Sequence, residues 1–154
     1  MCGIVCALSD QPVLPLLIEG LKRLEYRGYD SAGVALLGEA GFQRTRSVGR
    51  IADLEAALGE GVHDPSSIGI AHTRWATHGA PTRNNAHPHL TPGKLAIVHN
   101  GIIENHQELR EELIEAGYRF ESETDTEVIL HEVDRFYRET GDLYQAVRAT
   151  VKRL

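Results

Sequence analysis

Met1-Cys2-Gly3-Ile4-Val5-Cys6-Ala7-Leu8 opens the chain, and its reading decides the rest. Residues 3–8 are apolar and few, as in a short buried strand. A small residue at position 2 suits removal of Met1. Removal leaves Cys2 with both a thiol and a free α-amine, whose pKa is about 7.7–8.0. One residue then carries the nucleophile and the base of an acyl-transfer site. The plain alternative is a free cysteine acting as a small buried hydrophobe. Cys6 lies on the same strand face, about 13 Å away at ~3.3 Å per residue. A disulfide needs Cα atoms within about 7 Å, so both thiols are expected to be unpaired. Being deeper along the strand, Cys6 is expected to pack rather than react.

Working outward, Asp10 and Pro12 mark a helix start. Leu14, Leu17, Ile18, Leu21 and Leu24 form the apolar stripe of that helix. Residues 26–30 read as a loop, and Ala32–Leu37 as a strand that turns at 38–41 into a second strand over 42–47. Ile51–Leu58 is a short helix and Ile68–Thr73 a further strand. Residues 74–94, with Pro81, Pro88 and Pro92, fit neither element. Long irregular stretches in compact domains are often functional. Leu95–His99 returns to strand. Asn105–Glu108 and Thr124–Glu127 read as capping boxes that open two helices, with a short strand over Tyr118–Glu121 between them. Asp142 starts a last helix with Leu143, Val147, Thr150 and Leu154 on one side. Short, partly hairpin-linked strands interleaved with helices favour an α+β fold.

The 154 residues allow one domain or part of a larger one. The net charge of −6 argues against nucleic acid, whose phosphates need a basic face. No apolar run reaches the roughly 18–20 residues of a membrane span, and the start lacks the pattern of a signal peptide. No membrane partner is expected, and the cytoplasm is the default location.

Four polar groups stand out. Arg74, in His72-Thr73-Arg74-Trp75-Ala76-Thr77-His78-Gly79, offers a planar fork suited to a carboxylate, although a salt-bridged arginine on a surface loop is the plainer reading of this segment alone. Six of the eight histidines fall between His72 and His106. They lack the carboxylate or thiolate spacing of metal motifs, so neither a metal nor a cofactor is expected. In Asn85-Ala86-His87-Pro88-His89, histidines that order the loop by hydrogen bonding are the better reading. Asn100-Gly101 is a common turn pair, or two donors that converge on an oxyanion. Asp125 suits a first helical turn, or an anchor for an ammonium group.

Jointly, these segments, together with Glu25-Tyr26-Arg27-Gly28-Tyr29-Asp30-Ser31-Ala32-Gly33 and His99-Asn100-Gly101-Ile102-Ile103-Glu104-Asn105, resemble the glutaminase domains of class II glutamine amidotransferases. Among these they look most like the N-terminal domain of the glutamine–fructose-6-phosphate transaminases (isomerising), the glucosamine-6-phosphate synthases. The resemblance spans residues 1–154. It implies an N-terminal nucleophile hydrolase fold, an αββα four-layer sandwich. The family domain is longer, so the resemblance also implies a C-terminally truncated domain whose sugar isomerase partner is absent. The full-length parent is expected to be a homodimer.

The resemblance further implies L-glutamine as substrate. Cys2 attacks its carboxamide, with Asn100 and the Gly101 N–H holding the oxyanion. Arg74 pairs with the α-carboxylate and Asp125 with the α-ammonium. Trp75, Thr77 and His78 complete the pocket, and Arg27 lies near Cys2. Glycine usually stands where this chain has Cys6. The alternatives are the glutaminase domain of an amidophosphoribosyl transferase or asparagine synthetase, and a non-catalytic module that binds without turnover.

Overall fold

The strand that follows Cys2 is β1, Gly3–Leu8, in a computed structural model that describes residues 1–59, 61–76, 79–92 and 94–154. It pairs antiparallel with β4, Ile68–Arg74, with Gly3 opposite Thr73 and Leu8 opposite Ile68. On its other side β4 pairs with β2, Ser31–Gly38, which continues through a hairpin into β3, Gly41–Val48. The sheet order is β1-β4-β2-β3, antiparallel throughout.

Strand alternation divides this sheet into two faces. Val5, Ala7, Ala32, Val34, Leu36 and Ala71 meet α1, Leu14–Leu24, and α2, Ile51–Leu58, through Leu17, Leu21, Ile51 and Leu54. Removing each such leucine from water contributes about 1.5–3 kcal/mol. His72 and Arg46 lie on the opposite face, which carries the 84–88 segment. Arg46 Nη1 donates to the carbonyls of Asn84 and Ala86, both at 3.0 Å. At Gly33 a Cβ would stand 2.2 Å from the His87 carbonyl oxygen, so only glycine lets the segment lie this close. Beyond it, β5 (His89–Leu90) and β6 (Ala96–Ile97) form a two-stranded antiparallel sheet. Leu95 and Ile97 pack with Ile129, Leu130 and Val133 of α4, Thr126–Thr140, and with Ala146 of α5, Leu143–Val151. α3, His106–Glu115, packs on α4 through Leu109, Leu113 and Val128. The chain is thus α+β with antiparallel sheets.

Several sequence expectations are corrected. α1 begins at Leu14, beyond Asp10, because buried Val13 supplies its first carbonyl and no side chain caps it. The capping boxes at 105 and 124 do not form. Asn105 Nδ2 instead donates to the Arg153 carbonyl, and Thr124 Oγ1 shares a hydrogen bond with His89 Nε2. Residues 118–121 are not a strand: the Glu121 and Ser122 N–H groups donate to the Glu127 carboxylate rather than to a neighbouring strand. The 95–99 strand is only β6, because the His99 N–H donates to His87 Nδ1. On α5 the buried side is Ala146 and Thr150, while Leu143, Val147 and Leu154 are largely exposed. Asp142 does cap that helix, accepting from the Gln145 N–H at 3.1 Å.

Cys6 is exposed, not packed, and Cys2 is the more covered of the two. The reason is geometric. Cys6 lies on the face of β1 away from α1, and β1 is an edge strand of the sheet. Both cysteines are free thiols. No helix among the described residues is long and apolar enough to cross a membrane.

Candidate active site

The antiparallel register brings the chain start, the end of β4 and the 99–101 turn to one edge of the molecule. There a cavity of about 520 Å³ is lined by Met1, Cys2, Arg27, His72, Arg74, Trp75, His87, His99, Asn100, Gly101, Asp125 and neighbours. Residues 98 apart in sequence thereby face one another, because β1 and β2 flank β4 and the 84–99 segment folds back over the sheet.

Cys2 is held by the backbone of Trp75. The Trp75 N–H donates to Cys2 Sγ at 3.3 Å, and Sγ lies 3.6 Å from the Trp75 carbonyl oxygen. The terminal ammonium of Met1 donates to the Arg27 carbonyl at 2.7 Å, and Arg27 Nε donates to the Cys2 carbonyl at 3.3 Å. Gly28 makes this approach possible: a Cβ there would lie 2.9 Å from Met1 O and 3.0 Å from Trp75 Cβ. Asp30 secures the other side, its carboxylate accepting from the Ala76 N–H and the Ser31 hydroxyl. The Trp75 ring is half exposed and meets Tyr29 edge to face at 6.4 Å.

Arg74 is buried at the end of β4. Its Nη1 and Nη2 donate to the Ala80 and Gly79 carbonyls, both at 3.2 Å. Asp125 is buried at the start of α4, and its Oδ2 accepts from the Ile103 N–H at 2.9 Å. One fixed cation and one fixed anion therefore line the same cavity as the thiol, the arrangement a zwitterionic amino acid requires. Asn100 and Gly101 line the same cavity, and Asn100 Oδ1 is 2.9 Å from His72 Nε2. The expected residues Cys2, Arg27, Arg74, Trp75, Asn100, Gly101 and Asp125 are thus brought together. Thr77 and His78 lie outside the described residues.

Behind the cavity stands a column of buried imidazoles. His72 stacks on His87 with ring centroids 4.3 Å apart, and His89 follows at 4.7 Å. Burial pushes His72 down to about 4 and holds His87 and His89 well below the ordinary histidine range, so the column is neutral at pH 7. His87 does order its loop by hydrogen bonding. No group of three or more His, Cys, Asp and Glu side chains that could hold a metal is gathered among the described residues.

Sequence reasoning gave His72, Asp30 and Asn85 no role, though each supports the site. For His72 a signal existed: two residues before Arg74 on one strand, it shares that residue's face. Asn85 is fully buried and links the carbonyl that Arg74 leans on to Glu123, two residues before Asp125. No local pattern announces such a long-range pair.

The fold and this constellation define the class: the chain belongs to the glutamine amidotransferase domain family, whose model matches residues 57–146. It is 57% identical over its full length to glutamine–fructose-6-phosphate aminotransferase (isomerizing) from Pseudomonas putida and to that from Shewanella oneidensis. The chain spans about a quarter of the length of these relatives, 25% in both cases. It also superposes on a glutamine phosphoribosylpyrophosphate amidotransferase from B. subtilis with a TM-score of 0.82. That match has 24% identity and covers 100% of this chain and 33% of that one. An allosteric regulatory enzyme of purine biosynthesis gives a TM-score of 0.84 at 24% identity, with the same coverage. These last two likenesses speak to the fold.

Proposed function

We propose that this chain is the glutaminase domain of a glutamine–fructose-6-phosphate aminotransferase (isomerizing). In this reading it hydrolyses the side-chain amide of L-glutamine to glutamate and ammonia. The observation that carries the reading is the shared cavity of Cys2, Arg74, Asn100, Gly101 and Asp125.

The steps follow from the chemistry of these groups. With Met1 removed, the Cys2 α-amine takes the thiol proton, and the thiolate attacks the carboxamide carbon. The amide NH₂ of Asn100 and the Gly101 N–H stabilise the tetrahedral oxyanion, a donor set typically worth a few kcal/mol in the transition state. The ammonium returns its proton to the departing nitrogen, and ammonia leaves a γ-glutamyl thioester. The amine then deprotonates water, which attacks the thioester, releasing glutamate and the thiol. Arg74 binds the α-carboxylate and Asp125 the α-ammonium. Trp75 lines the pocket, and Arg27 steadies the chain start.

In the parent protein the ammonia aminates fructose-6-phosphate on a sugar isomerase domain, in a cytoplasmic homodimer. The finer architecture we assign is the αββα four-layer sandwich. Supporting it are α1 and α2 on the outer face of the four-stranded sheet, and α4 and α5 against β5–β6. The test is glutamate release from glutamine. Cys2→Ala is expected to abolish it, and release at the parental rate would overturn the reading.

A further inference from the structure

We infer that His72 is a positioning residue that holds the Asn100 side chain with its NH₂ toward the reacting carbon; this rests on the glutaminase reading above. A primary amide has two ends of similar shape and opposite function. Only the NH₂ end stabilises an oxyanion, whereas the oxygen end repels it. The terminal torsion of asparagine is broad and roughly two-fold, so nothing intrinsic to Asn100 selects the productive end. Asn100 is also exposed at the cavity rim, where packing alone leaves the amide free to turn. Some other group must select the orientation.

His72 Nε2 lies 2.9 Å from Asn100 Oδ1. An amide oxygen only accepts, so the imidazole proton in this pair is on Nε2. Buried and neutral, His72 has a single N–H to give. Its Nδ1 makes no hydrogen bond among the described residues, and Asn100 Oδ1 acts on the ring more strongly than the His99 backbone, the other acceptor near it. The opposite tautomer would invite the amide NH₂ toward the ring and turn the oxygen into the cavity. Tautomer and amide orientation are thus one coupled choice, made at His72.

The imidazole is itself fixed. It sits in the middle of β4, fully buried, paired across to Ile4 on one side and Gly33 on the other. One ring face stacks on His87 at 4.3 Å and 23°. His87 Nδ1 accepts from the His99 N–H at 3.4 Å, so the same stacked pair holds the backbone just before Asn100. A rigid strand therefore sets the amide in advance of the reaction, the preorganisation that oxyanion stabilisation depends on.

The experiment compares Asn100→Ala, His72→Gln, His72→Asn and the double variant Asn100→Ala/His72→Asn, each in the protein at its full encoded length. A glutamine side chain puts its NH₂ near the place of imidazole Nε2. An asparagine side chain puts it near Nδ1, out of reach of Asn100. Both are polar and close in size. His72→Asn is expected to lower kcat for glutamate release by roughly 10- to 100-fold with KM nearly unchanged, a fraction of what losing one oxyanion donor costs. His72→Gln should stay within about threefold of the parent. In the Asn100→Ala background His72→Asn should add nothing, because the two act as one unit.

Two failures are separable. If Asn100→Ala turns over at the parental rate, the oxyanion-hole reading itself falls. If Asn100→Ala is slow while His72→Asn is fast, slows the double variant further, raises KM alone, or is matched in slowness by His72→Gln, the positioning role falls. Thermal melts accompany each variant. An unfolded His72→Asn leaves the His72→Gln rate to decide: retention of activity supports the role and loss overturns it.

Discussion

Asn85 and Glu123 grip each other by two hydrogen bonds. Asn85 Nδ2 donates to Glu123 Oε2 at 3.0 Å, and the Glu123 N–H donates to Asn85 Oδ1 at 2.9 Å. The same Asn85 Nδ2 also donates to the Ala80 carbonyl at 3.0 Å, which in turn accepts from Arg74. One buried amide thus sets the distance between the segment behind Arg74 and the one leading into Asp125. Asn85→Ala leaves the Glu123 N–H without its acceptor in a half-buried place, a cost of about 1–3 kcal/mol. We expect a lower melting temperature and a raised KM for glutamine, with kcat less affected. Parental KM and melting temperature together would refute the linkage.

Gly33 is expected to be the least tolerant glycine of the sheet. A Cβ there would stand 2.2 Å from the His87 carbonyl oxygen and 2.9 Å from Arg46 Cγ. Neither neighbour has room to retreat, because Arg46 is tied to the Asn84 and Ala86 carbonyls and His87 is stacked on His72. Overpacking of this kind costs about 1–3 kcal/mol. Gly33→Ala should lower both the urea midpoint and the glutaminase rate, since the displaced segment carries His87. A midpoint equal to the parent's would contradict the packing described here.

Stability should fall as the solution is acidified, starting near neutrality. His72, buried, is held at about 4, and burial also lowers His87, His89 and His99. In the unfolded chain these groups take up protons near the usual 6.5, so below that pH the unfolded state binds more protons. Their contribution is complete above about pH 6.5 and is lost as pH falls toward 4. Each such histidine adds at most about 1.4 kcal/mol per pH unit. Burial alone would raise Glu127, but His131 beside it and donors from Ser122 and Glu121 overcome it and hold the carboxylate below its ordinary range. Its contribution is lost lower, below about pH 4.5. Urea midpoints measured from pH 7.5 to 4 should decline, and His72→Gln should flatten the decline. A flat profile in the parent would show the imidazoles charged in the fold.

The sheet was legible because its strands obey local rules. The apolar run 3–8, the stripe Leu14-Leu17-Ile18-Leu21 and the helix 51–58 owe their structure to neighbours in sequence and to one core. What misled the reading were polar residues with two possible employers. Glu127 and Thr124 suit a capping box, yet both are drawn into a buried chain with Ser122 and His89. Tyr118 and Phe120 alternate as in a strand, yet they pack on Leu109, Leu113 and Val128 without a partner strand. The site residues were legible only in combination, because Arg74, Asn100 and Asp125 each have an ordinary local explanation. The cavity joins them through long-range pairing that no short window contains.

Asp125 separates charge from structure in a single substitution. Its Oδ2 accepts from the Ile103 N–H at 2.9 Å, a bond that the oxygen of an asparagine retains. Asp125→Asn should therefore melt within a few degrees of the parent while losing the anion that meets the substrate ammonium. A hydrogen bond to a charged group is worth about 1.5–3 kcal/mol, so KM for glutamine should rise roughly 10- to 100-fold. The discriminating substrate is an amide that lacks the α-amino group: the variant should handle it as well as the parent does. An equal loss on both substrates would remove Asp125 from ammonium recognition.

The chain start carries the last prediction. Met1 is largely exposed, and its ammonium donates to the Arg27 carbonyl, while the nitrogen beside the Cys2 thiol is an amide with no basicity. In the proposed mechanism that nitrogen must become the base, so the active protein is expected to lack Met1, as an intact mass would show. A lysine inserted between Met1 and Cys2 blocks removal by placing a large residue second. It leaves Cys2, Arg74 and Asp125 unaltered in sequence. Loss of a positioned general base costs roughly 10²–10⁴-fold in rate. The insertion variant should fall by that factor yet still bind glutamine in calorimetry, because the carboxylate and ammonium anchors lie elsewhere in the cavity. Full turnover by a protein whose mass includes Met1 would eliminate the amine as base and require another group at the cavity, within reach of Cys2 Sγ, to take the proton.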